Sequence, residues 1–538
     1  MAPPTDPNQP PEFAPRDLWA DDAVLRDAVE REGGGAHAPR LAGYGALAGD
    51  ALYALSFDAH RDRPRLRTHD RFGARLDRVE FHQNYHAIMD AAVGAGVAGL
   101  SWHAPGPGAH VARAALSYLH YQVEPGSSCP LTMTHAAAPV LAREPALADW
   151  ARKAAAPRYD GRDAPAMDKP GLTLGMGMTE RQGGSDVRAN ATVATPRGGA
   201  YALAGHKWFF SAPMSDGFLV TAQAPGGLTC FLLPRWTPDG ARNGVRLVRL
   251  KDKLGDWSNA SSEVEFDDAL AWRVGEEGRG IATIIEMVML TRLDCMLGSA
   301  ALMRMAFAQA LHHCRHRRAF GRVLAEQPLM RNVLADLAIE AEAAATFALR
   351  VAGAVDRAAS DPREAAFARV ATAVGKFWTC KRAPAVVNEA QECLGGNGYV
   401  EESLLPRLYR QAPLNSIWEG SGNVQCLDLL RALAREPEAL RTLRDELSAV
   451  AGREPAFDAA IAGLASALAG GDADVGETDA RRLAVRLALA LQAAALLRAD
   501  SPVAGVFCAT RLAGDGARVP GTLAASQVDA VALERALP

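Results

Sequence analysis

The chain has 538 residues, with 58 Lys plus Arg against 62 Asp plus Glu, a formal net charge of -4, and 49% hydrophobic residues. That length exceeds the roughly 250 to 300 residues at which a single core stops growing, so several domains are expected, and the balanced charge excludes a global basic field that would gather polyanions. The eight cysteines (129, 230, 295, 314, 380, 393, 426 and 508) contain no C-x-x-C pair, which argues against a disulfide framework and a zinc site and fits a reducing cytoplasm.

The opening MAPPTDPNQPPEF has neither a basic n-region nor an apolar h-region, and the apolar segment LAVRLALALQAAALL is interrupted by Arg486, so neither a signal peptide nor a membrane span is expected. After the Pro-rich arm, Ala-rich stretches such as GAHVARAALSYLHYQ alternate with Gly/Pro breaks, and residues 1–168 read as a helical domain. Residues 169–278 change texture. YALAGHKWFF, FLVTAQA, LTCFLLP, VRLVRL and SSEVEF are short, partly alternating runs, with APGG at 224–227 as a hairpin signal, and predict an antiparallel β domain. Residues 279–436 predict a helical bundle: long helical patterns at 281–318, 327–355 and 364–394 are followed by another after Glu419. An Ala-rich helical appendix, 437–538, completes an α+β multidomain chain and includes the loop GGDADVGETD at 470–479.

Four glycine-marked segments stand out, each with a purely structural alternative. GMGMTERQGGSDV, 175–187, offers glycines for close backbone approach to a ligand and hydroxyls at Thr179 and Ser185, or a capped turn. GHKWFFSAP, 205–213, sets aromatics beside a small hydroxyl residue, as a flat heterocycle requires; buried strand aromatics are the commoner explanation. RRAFGR, 317–322, reads as a long helix ending at a glycine, where cations are favoured anyway. CLGGNGY, 393–399, is a Gly-rich loop or a helix C-cap. Then comes NSIWEGSGN, where Glu419 stands between Trp418 and a Gly-Ser-Gly turn. Proximity to a helix N-terminus gives an acid there roughly 0.3 to 1 kcal/mol without any catalytic purpose, and Ser421 and Asn423 are alternative caps.

Taken together and in order, these segments, with LKDKLG, RLDCMLGSA and QPLMR, resemble the acyl-CoA dehydrogenase family, and within it the AidB-type alkylation-response branch. The resemblance runs over nearly the whole chain. It implies an acyl-CoA dehydrogenase-like fold of N-terminal helical domain, central β domain and helical bundle, bound FAD, and a homo-oligomer, usually a tetramer. By position it places Met178 and Thr179 on the flavin, with Gly184 and Ser185 at its diphosphate side. Phe209 falls where the family commonly has a Trp against the isoalloxazine, and Phe210 and Ser211 continue that wall. Arg317, followed by Phe320 in R-x-x-F-G, resembles the arginine that reaches the diphosphate of a neighbouring subunit's FAD. Gly395, Gly396, Ile417, Trp418, Ser421 and Asn423 match the segments closing over the dinucleotide.

The resemblance makes Glu419 the general base that takes the substrate α-proton while the flavin takes hydride from the β-carbon. An apolar setting beside Trp418 is expected to raise its pKa. The base position used by other family members, on the long helix before an arginine, holds Thr291, next to Arg292, a substrate-side residue by position. Met289 stands where acyl-CoA-binding members often have an aspartate, Arg181 replaces a proline, and Glu392 a glutamine. These departures resemble the alkylation-response branch, which implies at most weak turnover of an acyl-CoA and an association with double-stranded DNA. Composition gives the latter no footprint. Residues 438–538 hold ten arginines, no lysine and thirteen acids, although Arg481, Arg482 and Arg486 are spaced to share a helical face. In HHCRHRR, 312–318, His312 and His316 are at i and i+4; lacking acidic or cysteine partners, they read as a helix-end cation cluster and no metal is expected.

Overall fold

The structure, a computed structural model, describes residues 8–468, 476–514 and 519–537; of the loop 470–479, residues 470–475 lie outside them. The chain forms two compact units. One comprises 51–109 and 123–294, the other 1–50, 110–122 and 295–538.

The first of these is built on a seven-stranded sheet. Its strands are β3 (Leu174–Gly177), β4 (Val193–Arg197), β5 (Ala200–Ser211), β6 (Gly217–Ala224), β7 (Gly227–Pro234), β8 (Val245–Leu250) and β9 (Ser261–Val274), numbered after the hairpin β1 (Arg65–His69) and β2 (Arg75–Glu80). The order is β3-β6-β4-β5-β9-β7, β8 pairs with β9, and β6 also pairs with β7, so the sheet curls back on itself. APGG makes the expected hairpin, with Ala224 opposite Gly227. The sheet is mixed, a correction to the antiparallel expectation: β3 and β4 both run parallel to β6. Its inner face is a buried apolar cluster that includes Leu203, Phe210, Phe218, Val220, Phe231, Val264 and Phe266. Burying side chains of this size contributes roughly 1.5 to 3 kcal/mol each relative to exposure.

Two helices, Gln83–Ala95 and Pro125–Ala142, belong to the same unit. The second is buried along most of its length despite two internal prolines, and Glu124 caps it by accepting from Ser127 N. The β1–β2 hairpin was not anticipated in the helical N-terminal stretch. Its alternation of Arg, Leu, Arg, Thr, His against Arg, Leu, Asp, Arg, Val satisfies the two-residue strand period.

The other unit is a helical bundle. Residues 295–316 of the helix Gly280–His316, the helices Pro328–Arg357, Pro362–Cys393 and Gly422–Arg435, and the appendix helix Ala480–Arg498 form it. The last packs on 328–357, 362–393 and 422–435, and a Leu/Ala face from Leu483 to Leu497 buries against them. The helix expected to end at Gly321 ends at His316. Residues 318–319 and 322–323 instead form a two-stranded turn whose corner, Phe320 (φ 52) and Gly321 (φ 81), is left-handed. Two left-handed residues in a two-residue connection give a hairpin the twist its strands need.

Candidate functional site

In the sheet unit, MGMTE continues β3. Gly175 and Gly177 are small for packing: a Cβ on them would meet Phe218 at 2.5 Å and Phe210 at 2.6 Å. Their purpose is therefore the core and not ligand approach, which corrects the expectation for this part of the segment. Close approach is needed at Gly184, where a Cβ would lie 2.4 Å from Thr179 Oγ1. Met178 and Thr179 are pinned through their carbonyls. Asn190 Nδ2 donates to Met178 O at 2.9 Å, and Trp208 N donates to Thr179 O at 2.8 Å. Both side chains are half-buried, while Gly184 and Ser185 are exposed.

Glu180, inside the same motif, is wholly buried. Its carboxylate accepts from Lys207 Nζ (2.8 Å), Thr192 Oγ1 (2.6 Å), Ala191 N (2.7 Å) and Thr192 N (3.2 Å). Burial alone would push its pKa up, but Lys207, Thr192 and the Ala191 amide bring it down to about 2, so it stays ionised. This buried pair ties MTER to the strand carrying the aromatics. It fixes the segment; it is not aimed at a substrate.

On β5 the aromatic pair divides by strand alternation. Phe209 is 52% exposed, with Lys251 Nζ 4.7 Å from its ring centre, whereas Phe210 is fully buried against Phe218 at 4.3 Å. Ser211 Oγ lies 3.3 Å from Ser261 Oγ. An apolar ring left half in solvent beside a hydroxyl and the half-buried Met178 and Thr179 suits a planar heterocycle, so the residues present fit an isoalloxazine at Phe209; Phe210 contributes to the core. On the long helix, Thr291 and Arg292 are buried, Thr291 Oγ1 donates to Val288 O, and Arg292 lies 3.9 Å from the sulfur of Met289.

The bundle unit holds the other set. Glu419 has φ 58 and is followed by Gly420 at φ 91. A non-glycine residue in the left-handed region costs roughly 1 to 3 kcal/mol and persists only where its surroundings over-determine it. Here they do. Lys376, buried within the 362–393 helix, donates from Nζ to the carbonyls of Trp418 (2.7 Å) and Gly420, and Gln425 Nε2 donates to the carbonyls of Glu419 and Gly420. Trp418 Nε1 donates to Asn415 Oδ1 at 2.9 Å. Asn415 in turn accepts from the Tyr121 hydroxyl at 3.0 Å and donates to Ser299 Oγ at 3.2 Å. Glu419 stands two residues before the N-cap of the 422–435 helix, which has no acid in its first turn, and Ser421 occupies the N-cap without a side-chain capping bond. Glu419 is half-buried, and Ile417, Ser421 and Asn423 are exposed.

Elsewhere in this unit, Gly395 (φ 57) and Gly396 are exposed in a short 3-10 turn. Phe320 is 99% exposed at its hairpin corner. Arg317 donates to Asn8 O at 3.0 Å, so the Pro-rich arm rests on the cation cluster; His312 Nε2 also meets Pro11 O at 2.9 Å. The His312 and His316 rings are 4.6 Å apart, and no group of three metal-ligating side chains occurs among the described residues. Arg481, Arg482 and Arg486 are exposed on one helix, Arg482 paired with Asp479 and Arg486 donating to Gly463 O. Lys376 and Gln425 lie outside the quoted motifs, and Asn415, Glu180 and Lys207 lie inside them without having been singled out, yet all five support these segments. A lysine inside the apolar run AVGKFW was the available signal for Lys376.

Three family models match in chain order. They are the adaptive response protein AidB N-terminal domain over residues 8–161, the acyl-CoA dehydrogenase middle domain over 175–269 and the acyl-CoA dehydrogenase C-terminal domain over 278–434. AidB of Escherichia coli (strain K12) is 46% identical over 510 residues, 94% of each chain. Acyl-CoA dehydrogenase family member 11 of Caenorhabditis elegans is 30% identical over 72% of this chain and 65% of its own. Among solved structures, Caenorhabditis elegans ACDH-11 in complex with C11-CoA superposes with a TM-score of 0.87 at 26% identity, covering 98% of this chain and 97% of that one. A Bacillus anthracis acyl-CoA dehydrogenase complexed with FAD shares the fold, with a TM-score of 0.64 at 19% identity over 79% of this chain and 80% of that one. Members of this family bind FAD. The motif segments, the β domain followed by a helical bundle, and the near full-length identity to AidB together establish that this chain belongs to the acyl-CoA dehydrogenase family, in its AidB-like branch.

Proposed function

We propose that this chain is an FAD-dependent oxidoreductase acting on the CH–CH bond of an acyl-CoA thioester, with Glu419 as general base. The single observation that carries this reading is the strained, over-determined backbone at Glu419: φ 58, clamped by Lys376 and Gln425. Strain at an acid lying outside the helix it precedes marks a position held for chemistry. Bound FAD supplies the hydride acceptor.

In the sheet unit, Met178, Thr179, Gly184, Ser185, Phe209 and Ser211 would hold the flavin and its diphosphate, with Phe209 giving the ring an apolar face. In the bundle unit, Arg317, Phe320, Gly395, Gly396, Ile417, Trp418, Ser421 and Asn423 would serve the dinucleotide; Arg317 has its Asn8 contact to exchange for a phosphate in a tetramer. The carboxylate of Glu419 takes the α-proton, and the electron pair of that C–H bond becomes the new C–C double bond as hydride leaves the β-carbon. One protein base suffices because the second hydrogen leaves as hydride. Arg292 would lie on the substrate side, and Met289, in contact with it, supplies no carboxylate for the CoA chain, which supports weak turnover.

The test is anaerobic titration of the purified yellow protein with short, branched and long acyl-CoAs while following the oxidised flavin band. Bleaching by one chain-length class that Glu419→Gln slows at least a hundredfold is the expected result. Equal bleaching rates in parent and variant would sink the base assignment.

The reading extends to a cytoplasmic protein of the alkylation response that associates with double-stranded DNA. Its support is membership of the AidB-like branch and the exposed face bearing Arg481, Arg482 and Arg486. Duplex affinity should fall steeply with salt and weaken in the triple Arg→Gln variant; salt-independent or absent binding removes this part alone.

A further inference from the structure

At the far end of the GHKWFFSAP segment, the sheet unit contains a cavity of about 350 Å3, bounded by strand β2, the 83–95 helix, residues 159–163 and residues 212–215. None of Met178, Thr179, Ser185, Phe209 or Ser211 lines it. Its size lies at the lower end of the roughly 300 to 1,000 Å3 of small-molecule clefts.

One wall is aromatic. Phe81 and Tyr85 stack with centroids 4.3 Å apart and planes at 13°, and His86 stands edge-on to both, at 5.9 and 5.6 Å. The hydroxyl of Tyr159 lies 2.8 Å from His86 Nδ1. Gly161 belongs to this arrangement: a Cβ there would come within 2.9 Å of His86 Nδ1 and 3.0 Å of Tyr159 Oη. Met214 adds an adaptable thioether surface. Burial first, and then Arg78, lower the pKa of His86, which keeps the imidazole neutral near pH 7.

Two features of the cavity lack a partner. Ser215 is 3% exposed, lines the space, and its Oγ has no hydrogen-bond partner among the described residues. An orphaned buried hydroxyl costs roughly 1 to 3 kcal/mol and calls for an explanation, such as a ligand. The second is charge. Among the ionised groups lining the cavity, Asp163 is held by Arg235 and Arg242, Asp160 by Arg162, and Glu80 by Arg67. Arg78 has no ion pair among the described residues, which leaves its guanidinium as the charged lining group available to an anion.

We propose that this cavity is a ligand site, distinct from the flavin and Glu419 residues, for a small aryl carboxylate. The aromatic ring packs on Phe81, Tyr85 and Met214, a ring hydroxyl completes the hydrogen bonding of Ser215, and the carboxylate pairs with Arg78. Aromatic stacking suits the ring, and a guanidinium suits the planar two-oxygen anion.

The test uses the FAD-loaded full chain and 3-(4-hydroxyphenyl)propanoate, with the neutral 3-(4-hydroxyphenyl)propanol and the unhydroxylated 3-phenylpropanoate as probes, by calorimetry and saturation-transfer NMR. Three results are expected. Arg78→Gln weakens the acid about tenfold and leaves the alcohol unchanged, as loss of one charge-assisted bond predicts. Ser215→Ala abolishes the preference for the hydroxylated acid. Met214→Trp fills the space and removes binding of all three. The flavin spectrum of each variant reports folding, and because Arg78 is an exposed surface residue its variant keeps the test valid if Met214→Trp does not fold. No binding to the parent, or binding that Arg78→Gln and Ser215→Ala leave intact, overturns the proposal. Acyl-CoA bleaching, measured on the same samples, stands or falls separately.

Discussion

Two glutamates sit in motif segments of similar appearance, Glu180 in MTERQGGSD of the sheet unit and Glu419 in WEGSGN of the bundle unit, and the structure gives them opposite circumstances. Glu180 is wholly buried and its carboxylate receives five donors, one of them its ion-pair partner Lys207. Glu419 is half-buried on a left-handed backbone, and Lys376 and Gln425 bind main-chain carbonyls of its loop. In the first case the protein clamps the carboxylate; in the second it clamps the loop that carries the carboxylate. Two motif glutamates of similar appearance are thus held by different means, one through its buried carboxylate and the other through the main chain of its loop.

Removing the clamped carboxylate should have the greatest consequence. Glu180→Ala leaves the Lys207 ammonium buried without its partner, and loss of one member of a buried pair costs about 3 to 5 kcal/mol. Chemical denaturation should show that loss, or give no folded protein at all; a change below about 1 kcal/mol would mean the pair contributes little and would erase the contrast between the two acids. Glu180→Gln, which retains an acceptor, should fall in between.

Acidification is expected to act next, and by other residues. Burial lowers the pKa of His110 and of His313 to about 4 from an ordinary 6.5. Both are neutral in the folded chain, so the unfolded chain binds protons first as pH falls through 6.5. Stability should therefore be flat above 6.5 and decline from there towards 4. Glu180, depressed to about 2 from 4.5, stays ionised across that window and adds its loss only below it, as pH falls from 4.5 towards 2. Urea midpoints at pH 7, 5.5 and 4.5 check this: His313→Gln should flatten the decline, and an unchanged slope would assign it elsewhere.

A weaker effect of opposite sign is expected at the other glutamate. Glu419→Gly relieves the left-handed strain and should stabilise the chain by about 1 kcal/mol while removing the proposed base. A more stable protein that acyl-CoA no longer bleaches would set Glu419 further apart from Glu180. A destabilised one would show that the Glu419 carboxylate itself fastens the loop.

Much of the architecture was legible because it is periodic. The long helical patterns after residue 280, the apolar strand runs and the APGG turn are local consequences of side-chain spacing. The hairpin at 65–80 was equally periodic, but its strands are short and arginine-rich, so charge masked the alternation. The parallel pairing of β3 with β6 was not legible, since it joins segments about forty residues apart that carry no mutual signal.

Residue order alone was enough to mark the motif segments, the family they resemble and Glu419 as the acid to watch, because motif identity is carried by residue type at fixed spacing. What each residue does within its motif emerged only from the folded chain. Folding turned Gly175 and Gly177 from ligand-facing turns into seats for Phe218 and Phe210 and sent Phe210 inward while leaving Phe209 exposed. It also fastened Glu180 to Lys207, placed Lys376 under the Glu419 loop, and left the Ser215 hydroxyl without a partner among the described residues. Burial, pairing and strain depend on contacts between residues far apart in the chain, and no local spacing encodes those.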